Sequence, residues 1–382
     1  MFFRFVSLAR LLPALAWTLA ACSGSSTPGG NVPPATGSGG ATQTGSGGSV
    51  TGEDASTPPG TGGVAGTGGV VGTGGGGGSV VQPPQDASMP PADTGPTPPG
   101  GDDIPERPLN IDKTSPQMYT ITFTPSQADP MASSHNDQQT AGVNTGAATI
   151  RGKLVVLLSG VGSPPGPTNL VGYTANLGFH AFAVAYNNSF DPSGQNNPAL
   201  FGNMRQEEFD GMDHVPNITV TRPDCVEVRV AKALTYLQAK NPQGDWGYFL
   251  KSNGEVRWSD VIFMGHSHGA SSAAYFAKIR RLWRAVSLSG PRDTNPVVAT
   301  WLSTDFLTPK DRLYGFTGTG DAQHPDHIKA MQTANYPGAL VDTGAMQPPY
   351  GNSHRLSYNG GHNDSTNCAG FNAVCRYMLG VQ

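Results

Sequence analysis

A serine with a glycine two residues away on either side, Gly265-His266-Ser267-His268-Gly269, is where residue types and spacing in this 382-residue chain could do chemistry. A serine hydroxyl serves as a nucleophile when it stands clear of its own backbone on a tight turn. Such a turn leaves no room for side chains where the strand before it and the helix after it nearly touch. Gly265 and Gly269 remove the Cβ atoms that would collide there. The flanks agree. Val261 to Met264 is short, apolar and β-branched at its start, as a buried parallel strand is. Beyond the serine, Ala270, Ala273, Ala274 and Ala277 recur at helical spacing and give a small-residue face that can lie close against a sheet. Asp260 before the strand and Lys278 to Arg281 after the helix mark its boundaries.

Strand, Gly-x-Ser-x-Gly and helix together resemble the nucleophile elbow of the α/β-hydrolase superfamily of serine hydrolases. The resemblance implies a mostly parallel central sheet with helices on both faces. It also implies a serine followed along the chain by an acid and then a histidine, the base that takes the serine proton. Asp321 follows the strand-like Arg312 to Thr317 through Gly318-Thr319-Gly320, at a strand's carboxyl end, and is the expected acid. Asp293, after the strand-like Ala285 to Leu288, is the alternative acid. His362 lies in the glycine-rich stretch Tyr358-Asn359-Gly360-Gly361-His362-Asn363-Asp364 and is the expected base; His354, ahead of the last strand, is the alternative. His324 and His327 lie close to Asp321 in sequence. By the same resemblance, the oxyanion donors are the backbone N–H of His268 and that of Val161 or Gly162 in the loop Ser159 to Ser163. That loop lacks the His-Gly-Gly signature of many esterases. His266-x-His268 and His324-x-x-His327 could offer nitrogens to a metal. Residues flanking an elbow serine point to opposite sides, however, and no cysteine or second acid completes a recognisable spacing. No metal and no cofactor is expected.

The elements that must position these residues alternate along the chain. Met118 to Phe123 reads as an antiparallel edge strand, Lys153 to Leu158 as a fully apolar strand, Gly172 to Leu177 as part of a short helix and Phe179 to Tyr186 as the next strand. Val226, Val230, Ala233, Leu234 and Leu237 mark an amphipathic helix begun by Pro223-Asp224. After the elbow come the strand Ala285 to Leu288, a helix near Val297 to Leu302, the strand Arg312 to Thr317, a helix near Pro325 to Gln332 and the strand Arg355 to Tyr358. This alternation implies a mostly parallel sheet covered by helices, with ligands at the carboxyl ends of its strands. Between Asn187 and Arg222 lies a polar segment far longer than a direct connection requires. It is expected to form one wall of the cleft, anchored by Phe190, Phe201, Met204, Phe209 and Met212.

The beginning of the chain has another character. Arg4 and Arg10 precede an apolar run that ends Leu19-Ala20-Ala21-Cys22. This reads as a secretory signal over residues 1–21, too short to span a membrane. Its ending resembles the bacterial lipoprotein signal, which implies lipidation of Cys22 and, with Ser23 next, anchorage at the outer membrane, on its periplasmic or cell-surface side. Residues 22–104 are rich in Gly, Pro, Ser and Thr, and no aromatic residue occurs between Trp17 and Tyr119. Without large apolar groups such a stretch cannot offset the entropy of ordering, so it is expected to act as a disordered tether. Residues 105–382 are left as the catalytic domain, of ordinary size for one α/β unit. Much of the count of 52 Gly and 33 Pro falls in the tether, and a formal net charge of -4 without a basic cluster excludes nucleic acid as the expected partner. In an exported protein the close pair Cys368 and Cys375 is expected to form a disulfide, leaving Cys225 as an odd thiol.

These readings converge on an exported, monomeric serine hydrolase of small or polymeric carboxylic esters, held to the membrane by its lipid. A peptidase, thioesterase or polyester depolymerase would share the machinery. The contrasting class is a surface binding protein that keeps the fold without the reaction.

Overall fold

The computed structural model describes residues 105–190 and 196–381. The signal segment 1–21, Cys22 and the tether 22–104 lie outside the described residues.

The chain begins with β1 (Met118–Phe123), the single helical turn α1 (Pro125–Ala128), β2 (Gln139–Asn144), β3 (Leu154–Leu158), α2 (Asn169–Asn176) and β4 (His180–Ala183). Next come α3 (Leu200–Asp210), α4 (Val226–Lys240), β5 (Val261–His266), α5 (His268–Ile279), β6 (Arg284–Leu288) and β7 (Leu313–Gly318). The chain ends with α6 (His324–Thr333), β8 (Leu340–Asp342), β9 (Arg355–Tyr358) and α7 (Asn372–Leu379). The strands form one sheet in the order β1-β2-β4-β3-β5-β6-β7-β9-β8, antiparallel only where β2 meets β1 and β4. β5 sits between β3 and β6, so Ser267 emerges at the carboxyl edge of the middle of the sheet, where α/β sheets bind ligands. The expected fold class, a mostly parallel sheet with helices on both faces as in α/β hydrolases, is the one observed.

Alternation along each central strand explains the two layers. Leu154, Val156, Leu158, Val261 and Phe263 pack with residues of α4, α5 and α6 on one face. Val155, Leu157, Ile262, Met264, Val286 and Leu288 pack with Leu170 and Val171 of α2 and with Val374, Met378 and Leu379 of α7 on the other. A strand buried on both sides has no polar position to spare, so β3 and β5 read as unbroken apolar runs. No helix among the described residues is long and apolar enough to cross a membrane.

Three differences from the sequence reading have physical causes. The helix expected near Val297 to Leu302 is only a 3-10 turn over Thr300–Ser303, because Ala299 ahead of it is extended and breaks the helical path. The strand expected from Phe179 to Tyr186 is regular only over β4, although Val184, Ala185 and Tyr186 stay buried. β2 and α3 carry no clear period of their own: β2 reads Gln-Thr-Ala-Gly-Val-Asn, and its register comes from its neighbours.

Cys368 and Cys375 are bonded, and Cys225 is free and buried at the head of α4. The bond ties the start of α7 to the loop that carries His362. Closing so short a loop removes about 2.5 kcal/mol of unfolded-chain entropy. The double replacement Cys368→Ala/Cys375→Ala is therefore expected to lower Tm by about 4 °C or more, measured by differential scanning calorimetry. An unchanged Tm would show that the loop is held without the bond.

Candidate active site

The turn after β5 has the geometry its glycines were expected to permit. Ser267 has φ 56° and ψ −114°, a left-handed region that ordinary residues avoid and that costs about 1–3 kcal/mol. The close approach is real. A Cβ on Gly265 would lie 1.9 Å from the carbonyl oxygen of Gly269, and one on Gly269 would lie 2.5 Å from that of Leu158. The Ser267 N–H donates to Leu288 O at 2.9 Å, which fixes the turn to β6. α5 begins at His268, so the first free N–H groups of that helix, and the positive end of its dipole, lie beside the serine.

Asp321 and His362 are brought together from loops 41 residues apart: His362 Nδ1 donates to Asp321 Oδ2 at 2.6 Å. Burial raises the Asp321 carboxyl, but the N–H of Gln323 on Oδ1 at 2.8 Å and the His362 ring outweigh it and hold the group below its usual range. With its proton on Nδ1, His362 keeps a lone pair on Nε2, the form a general base requires. The His362 loop is set over the elbow by its backbone. His362 O accepts from Ser289 Oγ at 2.5 Å and from His266 Nε2 at 3.2 Å, and the two imidazole rings lie 5.0 Å apart. Burial pushes His266 down to about 4, so it stays neutral in this role.

The loop Ser159 to Ser163 stands against the serine: a Cβ on Gly160 would lie 3.4 Å from that of Ser267. Of the two residues expected to supply its oxyanion donor, Gly162 is otherwise engaged, because its N–H donates to Asn188 O at 2.9 Å. Val161 N–H has no such acceptor among the described residues. Asn188 shapes this loop, its amide donating to Gly160 O at 2.6 Å and Ser163 O at 2.8 Å. Nothing local in the sequence marks that role.

The alternative acid and base are otherwise engaged, although Asp293 lines the same cavity as Ser267. Asp293 is buried and accepts two hydrogen bonds from Arg205, both 2.7 Å, and one from Trp301 Nε1 at 3.0 Å. Among the described residues it has no histidine partner. His354 stacks on Tyr314 with ring centroids 4.0 Å apart and bonds Leu313 O, at the start of β7 and so at the opposite edge of the sheet from the elbow. Burial, the largest cause, pushes it down to about 4. His268 turns away from His266, edge-on to Phe190 and with Nε2 3.5 Å from Glu208, so the His266-x-His268 pair does not converge. His324 and His327 do converge, on Thr317 Oγ1. Asp321, His327 and His362 have ligand atoms within 4.8 Å of one another, as a metal could use. The 2.6 Å separation of His362 and Asp321 is that of a direct hydrogen bond and leaves no room for an ion between them.

The segment after β4 forms the facing wall. Phe201 and Arg205 of α3, with Val161, Ser267, Arg292 and Asn295, line a cavity of ≈ 70 Å³. Phe209 was expected to share that wall. It packs instead between Trp258 and Phe276 in the core, because α3 turns it one face away from Phe201. Arg205, Glu207 and Glu208 belong to the segment read as polar, and all three are buried and hydrogen-bonded.

No family model and no curated protein matches the chain. Among solved structures it is similar to the fluorophosphonate-binding serine hydrolase F of Staphylococcus aureus, at 13% identity over 69% of this chain and 99% of that one, with a TM-score of 0.39. It is similar also to MGS-M1, an α/β hydrolase from a deep-sea metagenome library, at 17% identity over 69% and 97%, with a TM-score of 0.34. A third is esterase 2 of Thermogutta terrifontis, at 13% identity over 64% and 84%, with a TM-score of 0.31. These likenesses are distant, and the site rests on its own geometry.

Proposed function

We propose that the protein is a serine hydrolase of carboxylic esters in which Ser267 is the nucleophile, His362 the general base and Asp321 the acid that orients it. The observation that carries this reading is a strained, glycine-flanked Ser267 at the carboxyl edge of the sheet, with a His362–Asp321 pair seated over the same turn. In the acylation step Ser267 Oγ attacks the ester carbonyl carbon and its proton passes to His362 Nε2. The carbonyl oxygen becomes an oxyanion facing the N–H groups of His268 and Val161, at the positive end of α5. The tetrahedral intermediate then collapses, His362 gives its proton to the departing alkoxide, and an acyl-enzyme remains. Water, deprotonated by His362, repeats the sequence and releases the acid.

The cavity bounds the substrate. A volume of ≈ 70 Å³ holds about five water-sized atoms, which suits a short acyl group. Phe201 lines it and is itself fully buried. The protein without its signal segment is expected to hydrolyse p-nitrophenyl acetate and butyrate faster than the decanoate. Phe201→Ala is expected to raise the decanoate-to-acetate ratio of kcat/KM by about tenfold, an effect of the size of one or two lost methylene discriminations. An unchanged ratio at full activity would place α3 outside the acyl site. No hydrolysis of any ester on such a panel would count against the enzyme and for the binding-protein alternative. Lipidation at Cys22, export to the outer membrane, the tether, a monomeric state and a catalytic domain over residues 105–382 belong to the same proposal on the strength of the sequence.

A further inference from the structure

Thr317, near the end of β7, sets a proton count that the triad alone does not use. Its one hydroxyl lies 3.0 Å from His324 Nδ1 and 2.9 Å from His327 Nδ1. A hydroxyl donates a single proton, so one ring accepts it and the other must donate its own N–H to Oγ1. Two further contacts decide which. His327 is fully buried with no partner for Nε2 among the described residues, and its Nδ1 lies 3.8 Å from Asp321 Oδ2. Were His327 the acceptor, its Nδ1 lone pair would be set beside a carboxylate. Its proton would then sit on Nε2 as a sealed donor without an acceptor, the rarer and costlier kind of orphan. With the proton on Nδ1, the N–H serves Thr317 and offers its positive end to Asp321, and the orphan is only a lone pair. His324, which is half-buried, accepts the Thr317 proton on Nδ1 and carries its own on Nε2.

We propose that His327 is a positioning residue of this site: a neutral Nδ1–H imidazole, held in that tautomer by Thr317, whose N–H dipole shares the charge of Asp321 and so sets how firmly Asp321 holds the His362 proton. The proposal rests on the reading of Asp321 and His362 as acid and base. Burial pushes His327 down to about 3, so it supplies a dipole and not a second positive charge. The other charged or titratable groups around Asp321, His362 and His327 are His266 from the end of β5, Arg292 from the loop after β6, which acts on His327, and His324 from α6. Arg292 is drawn toward Asp326, 3.4 Å away, and His266 and His324 are held down by burial, so none of the three replaces the His327 dipole.

Two measurements on the full chain test this. In the protein labelled with 15N at histidine, two-bond proton–nitrogen correlations report the tautomer of each neutral ring, and the His327 signals are those lost in His327→Asn. The expected result is a proton on Nδ1; a proton on Nε2 overturns the proposal whatever the kinetics show. The second measurement is the pH profile of kcat/KM. In His327→Leu the carboxylate keeps more of its charge, so the His362–Asp321 pair releases its proton at higher pH. The acid limb is expected to move up by about half a unit, with kcat/KM at the optimum about fivefold lower and KM unchanged. His327→Asn places an amide N–H near the position of Nδ1–H and is expected to return both values toward those of the parent protein. An acid limb that stays in place in His327→Leu, or that moves equally in both variants, overturns the proposal. If the leucine variant fails to fold, the tautomer decides. A fully active Asp321→Asn would instead overturn the triad reading beneath it.

Discussion

Ser267→Ala is expected to lower kcat for ester hydrolysis by about a million-fold while leaving far-ultraviolet circular dichroism and Tm close to those of the parent. The size of the loss follows from the division of labour. The oxyanion donors and the cavity survive the replacement, but no other hydroxyl stands on that turn with a histidine lone pair available to it. Stability is not expected to fall. Alanine adopts the strained φ of 56° no more easily than serine, and it introduces no new clash. Retention of more than a few per cent of the parental turnover would move the nucleophile elsewhere. Gly265 is the structural counterpart. Any Cβ there meets the Gly269 carbonyl at 1.9 Å, so the turn and the nucleophile would be lost together.

Asp321→Asn is expected to lower kcat by about ten-thousand-fold with little change in KM or Tm. The amide can turn its N–H toward His362, which favours a proton on Nε2 and leaves no lone pair for the serine proton. Asp293→Asn makes the contrast that separates the two acids. Asp293 holds the buried Arg205 through two 2.7 Å bonds, so losing its charge leaves the guanidinium in the core with only Glu208, 3.9 Å away, as a charged partner. That is expected to cost about 3–5 kcal/mol of stability and to affect chemistry only through the fold. Unfolding in urea and kcat on the folded fraction distinguish the cases. If Asp293→Asn abolished turnover in a stable protein, and Asp321→Asn did not, the assignment of the acid would be reversed.

What could be read from the sequence was whatever is encoded locally. The elbow is legible because five consecutive residues must satisfy one steric condition, and because the apolar run and the alanine face lie beside it. Asp321 and His362 are legible as candidates because each follows a strand through glycines, and their order along the chain limits the search. Their 2.6 Å bond is a product of the sheet, which brings β7 and β9 side by side. The wall of the cleft was legible as an insertion but not in its packing. Phe201 and Phe209 look alike in sequence, and only the way α3 lies across α5 sends one to the cavity and the other to the core. The burial of the charges of α3 was not legible for a related reason. Arg205 and its partner Asp293 are 88 residues apart, and an unpaired charge in a sequence reads as solvated until its partner is seen. His327 is the finest case, since its role depends on a single hydroxyl and an orphaned nitrogen that no spacing announces.

The central claim is that Ser267 is an activated nucleophile. Its most direct test is to treat the folded protein with a fluorophosphonate and map the adduct by peptide mass spectrometry. One stoichiometric adduct on Ser267 is expected, lost in Ser267→Ala and slowed by orders of magnitude in Asp321→Asn. No adduct on the folded protein, or an adduct on another residue with Ser267 unmodified, would contradict it.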